Sequence, residues 1–168
     1  MTRLRTVCAL ALIVGTTACG QPKGPPADDF DAKLWDARKS LIPPYPKEEN
    51  LLPIYVGPVL PFAFFVDRAS VSMTQDGILR YTLIGRSASA TNVSYEAVSC
   101  RGYERRVYAF GRSDGTWSEA RNSQWTRIIR SPANPSATLA NDFFCSAERG
   151  WVDTTDEALR ALTRGNRP

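Results

Sequence analysis

The chain of 168 residues contains no histidine, and its four lysines (Lys23, Lys33, Lys39 and Lys47) all precede residue 48. Without imidazole, Ser-His-Asp and Cys-His relays are excluded, and so is almost every common zinc site. Beyond Lys47 every basic side chain is an arginine, which stays protonated and makes a poor base. Acid–base work in that region would fall to carboxylates or tyrosines. No P-loop, GxGxxG, Asp-Thr-Gly or EF-hand pattern occurs. No stretch approaches the roughly 18 apolar residues of a spanning helix. A chain 43% hydrophobic and 23% charged is globular rather than disordered, and its length suits one domain.

What is present begins with an export signal. Arg3 and Arg5 precede an apolar run over residues 7–14, followed by Gly15-Thr16-Thr17-Ala18-Cys19. A short apolar core after two arginines, ending in small residues, has the build of a bacterial secretory signal. A cysteine after the small residues resembles a lipoprotein signal, in which Cys19 is lipidated and becomes the first mature residue. Thr16 departs from the aliphatic residue usual three places before that cysteine, so ordinary cleavage after Ala18 is the alternative. Cysteine arithmetic favours lipidation. Removing Cys8 leaves Cys19, Cys100 and Cys145, and lipidating Cys19 leaves an even pair. In an oxidising compartment Cys100 and Cys145 are expected to form a disulfide. Gly20 in place of Asp favours, by the usual sorting pattern, the periplasmic face of the outer membrane; a soluble periplasmic protein is the alternative. Cleavage removes two of the 21 basic and none of the 17 acidic residues, so the side-chain charge falls from +4 to +2.

The chain thus divides into a signal peptide (residues 1–18), a lipidated cysteine and tether (19–29), a short helix with a proline-rich packed segment (30–61), and a sheet domain with C-terminal helices (62–168). Phe30, Leu34, Trp35, Arg38 and Leu41 have roughly helical spacing. The prolines from Pro43 to Pro61 forbid a helix and favour extended backbone, while the aliphatics among them predict packing on the domain. Strands are expected at 62–73 and 78–84 around an Asp76-Gly77 turn, and at 92–100 and 103–110. Asp114-Gly115 is a second turn, after which one or two shorter strands follow at 116–117 and 125–129. Residues 137–147 fit a short helix capped by Ser136, and Thr154-x-x-Glu157 is a capping-box pattern opening a C-terminal helix. The fold class is α+β: an antiparallel sheet of about five strands, flanking short helices and a C-terminal helix.

No catalytic residue, metal site or cofactor is assigned. Glu96, Glu104, Asp114 and Glu119 are candidates for a carboxylate-based hydrolase of cell-wall or glycan substrates, but their spacing carries no motif. Arginines interleaved with aromatic rings look like a nucleic-acid platform. Export argues against that partner, and Arg105 and Arg106 must point to opposite faces. Tyr95, Glu96, Arg101, Arg105, Arg112 and Trp117 form the candidate binding surface. The expected partners are the membrane, through the N-terminal lipid, and an envelope protein, lipid or peptidoglycan whose anionic groups suit arginine forks.

Several landmarks in order resemble the CNP1-like family of exported proteobacterial proteins. They are the Trp35 segment, the Leu-Pro stretch to Leu60-Pro61, Ile78-Leu79-Arg80-Tyr81-Thr82-Leu83 and the run from Asn92 to Cys100. Tyr108-Ala109-Phe110-Gly111, Asp114-Gly115-Thr116-Trp117, Trp125 and Cys145 complete the pattern. The resemblance implies export and the fold, and names no reaction. The expected function is a non-catalytic envelope lipoprotein that binds or scaffolds, with the hydrolase as alternative.

Overall fold

A computed structural model describes residues 39–58, 61–148 and 150–165. The signal, Cys19, the tether and most of the expected helix over residues 30–41 lie outside them. The described part of that helix, Lys39–Leu41, is a single 3-10 turn.

Seven strands form one antiparallel sheet: β1 (Leu51–Ile54), β2 (Ala63–Met73), β3 (Ile78–Arg86), β4 (Thr91–Ser99), β5 (Glu104–Gly111), β6 (Trp117–Glu119) and β7 (Thr126–Arg127). The first six are neighbours in chain order, and β7 pairs with β5 below β6. Short connections between consecutive antiparallel strands produce this meander. Both Asp-Gly turns are where expected. Gly77 and Gly115 take φ of 77° and 79°, the left-handed backbone that glycine adopts without steric cost.

The sheet has seven strands against the expected five or so, because both short strands expected after Asp114-Gly115 pair with β5 and one further edge strand joins. That strand is β1, inside the proline-rich passage, where Pro53 is opposite Phe65 at the exposed edge. An edge is where a proline costs no ladder bond. The start of the passage packs on the domain as expected: Trp117 Nε1 donates to the Pro43 carbonyl at 3.1 Å, and the Tyr45 and Trp117 rings lie 5.5 Å apart.

β3 is buried along eight of its nine residues, so the alternation Leu79-Arg80-Tyr81-Thr82-Leu83 sends its polar side chains to a second covered face rather than to water. Leu79, Tyr81 and Leu83 face a core shared with the late helices, while Ile78 packs on the opposite face with Tyr95, Ala97 and Tyr108. In β2, residues 68–71 bulge out of register between the Asp67–Thr82 and Ser72–Arg80 pairs. Buried polar groups hold the bulge: Asp67 accepts from the Ala69 amide, and Ser70 Oγ accepts from the Thr82 amide at 2.7 Å.

The expected helix at 137–147 is shifted and composite. Asn134, rather than Ser136, caps it by accepting from the Ser136 amide, with Pro135 as first residue. Helix α1 (Pro135–Thr138) runs into a π-helical segment, Leu139–Phe144. In it Leu139, Ala140, Phe143 and Phe144 form the buried face. The segment ends at Cys145, which is bonded to Cys100. Cys145–Ser146 (β8) then pairs with Gly150–Trp151 (β9) as a two-stranded ribbon. Helix α2 (Thr155–Arg164) opens on the expected Thr154 cap, whose Oγ1 accepts from the Glu157 amide, while Glu157 reaches one residue further back and accepts from the Asp153 amide. Its buried Ala158, Ala161 and Leu162 join the core. Thr155 Oγ1 accepts from the Met73 amide at 2.9 Å, pinning the helix start to β2.

Candidate functional site

Antiparallel alternation splits the six residues of the expected binding surface. Tyr95 and Trp117 belong to one face, with ring centroids 6.4 Å apart. Glu96 lies on the other face, beside Tyr81. Arg112 is exposed in the β5–β6 turn, and Arg101 is exposed in the β4–β5 turn at the far end of the sheet. The structure brings together Glu96 and Arg105 alone as a charged pair, at 3.5 Å. The remaining arginines divide likewise: Arg106 is buried, donates from Nε to Ser123 Oγ, and lies 5.3 Å above the Tyr108 ring.

Glu96 is the carboxylate with the most unusual setting. Only 3% of it is exposed. It accepts from Ser94 Oγ at 2.6 Å and interacts with the Tyr81 hydroxyl. The Tyr81 hydroxyl is itself buried and does not reach good hydrogen-bond geometry. Burial pushes the Glu96 pKa up, opposed by Arg105 and by the hydrogen bonds it receives; burial also drives the Tyr81 pKa well up. A raised carboxyl suits a general acid, but this one is sealed under the sheet and its neighbours occupy it. It ties β3, β4 and β5 together.

An open site lies instead at the end of the sheet carrying the disulfide. Cys100 and Cys145 are bonded, as expected, joining the β4–β5 turn to β8. Beside them is a cleft of about 560 Å³, lined by the disulfide, Tyr103, Arg127–Arg130, Ala147 and Trp151. That volume falls within the usual range for ligand clefts. Tyr103 forms its wall in a left-handed conformation (φ 51°), a strain of about 1–3 kcal/mol for a non-glycine residue. Three bonds hold it there: its amide donates to the Cys100 carbonyl, its carbonyl accepts from the Ile128 amide, and its hydroxyl donates to Asn141 Oδ1 at 2.8 Å. The Arg130 guanidinium lies 4.6 Å above the fixed Tyr103 ring, a cation–π arrangement that orients the fork.

Alternation along 127–130 explains the rest. Ile128 turns inward and is 3% exposed, while Ile129 turns outward and is 75% exposed. Trp151 is 53% exposed on the ribbon opposite. No acidic residue is among the described lining. The cleft is therefore a basic, aromatic and aliphatic surface, able to hold an anionic group and shelter an apolar one. On the other side of Trp151 a smaller cleft of about 110 Å³ holds Asp76 and Asp153, both exposed. It is well below the size that encloses a sugar ring or drug-sized ligand. Among the described residues no group of His, Cys, Asp or Glu is arranged to hold a metal ion.

Arg127 and Arg130 are visible in the sequence as members of an arginine-rich stretch, but Ile129 and Trp151 do not stand out there. The available signal is Arg-Ile-Ile-Arg near a sheet edge, where only one isoleucine can be buried. Nothing local marks Trp151.

A sequence model of the CNP1-like family matches residues 30–163. No curated protein and no solved structure matches the chain.

Proposed function

The chain belongs to the CNP1-like family, and from that premise we propose that it is an exported lipoprotein of the cell envelope. In this reading Cys19 is acylated at the periplasmic face of the outer membrane, and the domain is a non-catalytic module that binds an anionic envelope partner. The observation that carries the binding role is the disulfide-end cleft: two arginines, Tyr103, Trp151 and an exposed isoleucine, with no acidic side chain among the described lining. Hydrolysis by a carboxylate pair has less support, because Glu96 is sealed and the cleft with two aspartates is small.

A photo-crosslinking residue placed at Ile129 in living cells tests the binding role. The expected result is a light-dependent adduct with an envelope component that is absent when the probe replaces exposed Arg121. Loss of glycan or peptidoglycan cleavage in Glu96→Gln, with no adduct at position 129, would favour the hydrolase instead. Metabolic labelling with a clickable fatty acid tests the anchor: label is expected on the wild type and not on Cys19→Ala.

A further inference from the structure

We propose that the disulfide-end cleft docks on a bilayer containing anionic phospholipid, Arg127 and Arg130 taking the headgroup phosphate while Ile129 and Trp151 enter the interface. The inference deepens the binding role above and rests on it. Three observations carry it. First, the two guanidiniums bracket Ile129 in the chain and line one cleft with no acidic residue among the described lining, so its charge is complementary to phosphate. Second, Ile129 and Trp151 are 75% and 53% exposed on the same cleft. A free phosphate gives those side chains nothing, whereas tryptophan and aliphatic side chains beside arginines are the composition that settles at a headgroup layer. Third, the site is preorganised, Arg130 being stacked on a Tyr103 held by the disulfide turn, Ile128 and Asn141. A peptide partner adding a strand is disfavoured by geometry, since β7 is two residues long and offers little edge to pair with.

The test uses the purified mature chain, residues 19–168, carrying Cys19→Ser, so that neither the signal peptide nor an acyl group contributes. Its co-sedimentation is measured with vesicles of phosphatidylcholine alone and of phosphatidylcholine with phosphatidylglycerol. Binding is expected only to the second. Each basic residue near an anionic surface is worth about fivefold in partition, so Arg127→Gln/Arg130→Gln should weaken binding about 25-fold. Ile129→Ser should weaken it too, and brominated lipid should quench tryptophan emission in the wild type but not in Trp151→Phe. Arg68→Gln/Arg121→Gln, which removes two exposed charges elsewhere, should bind as the wild type does. Equal binding to both vesicles, or an equal loss in the two double-arginine variants, would overturn the proposal. So would displacement by glycerol phosphate at millimolar-range amounts, which marks a free-anion site, or by an acidic peptide, which marks a protein site. A protein adduct at Ile129 in cells with no vesicle binding would leave the binding role standing and remove the lipid.

Discussion

Breaking the Cys100–Cys145 bond should destabilise the domain more than any single surface change. The bond closes a loop with a sequence separation of 45, spanning β5, β6, β7, α1 and the π-helical segment. Closing such a loop removes unfolded-state entropy worth about 4 kcal/mol at 25 °C. For a domain of this size that corresponds to a fall in Tm of about 15 °C. The packing argues that little is recovered after reduction, because Phe144 and Leu139 are fully buried against the sheet and depend on the segment staying seated. Circular dichroism melts with and without reductant, repeated on Cys100→Ala/Cys145→Ala, measure the effect. The double variant should match the reduced wild type and ignore reductant. A reduced protein melting within about 3 °C of the oxidised one would refute the reasoning, since the loop would then be closed by packing alone.

Burial raises the Glu96 pKa above the ordinary carboxylate value, so the folded state holds its proton more tightly than the unfolded chain. That contribution is whole below the unfolded pKa and is lost as pH rises through the raised folded one. Urea midpoints from about pH 4 to pH 8 should therefore fall for the wild type relative to Glu96→Gln, and a difference that does not change with pH would contradict this. Asp67, also raised by burial, contributes in the same direction and cancels in that comparison. Gly111→Ala would set a Cβ 2.8 Å from both Tyr45 Cε2 and Val93 Cβ. Such overpacking costs about 1–3 kcal/mol and should loosen the proline-rich passage, read as faster proteolysis there. Thr154→Ala removes the acceptor for the Glu157 amide and should cost about 1 kcal/mol in chemical denaturation, while Thr154→Asp should restore most of it.

Local chemistry makes some elements legible in the residue order alone. The Asp-Gly turns, the Thr154 cap with its Glu157 partner and the alternating β4 each depend on residues within a few positions of one another, so their signals are contiguous. The π-helical segment is not legible in that way, because its side chains are seated against distant residues, the core under β3 and, at its end, Cys100. The six residues of the candidate surface are dispersed for a related reason. Tyr95 and Glu96 are adjacent in sequence, yet the pleat sends them to opposite faces, and Arg101 and Arg112 mark opposite ends of one hairpin.

Composition alone excludes histidine-based catalysis, and residue order carries the proposal of export with one cysteine pair left to close. Both need only residue types and their sequence, since absent side chains and a signal's charge-then-apolar pattern do not depend on folding. Which arginines meet an aromatic ring, which isoleucine faces water and which carboxylate is sealed are decided by the sheet. Its register sets each side chain's face, and the disulfide then brings Tyr103, Arg130 and Trp151, distant in sequence, around one cleft.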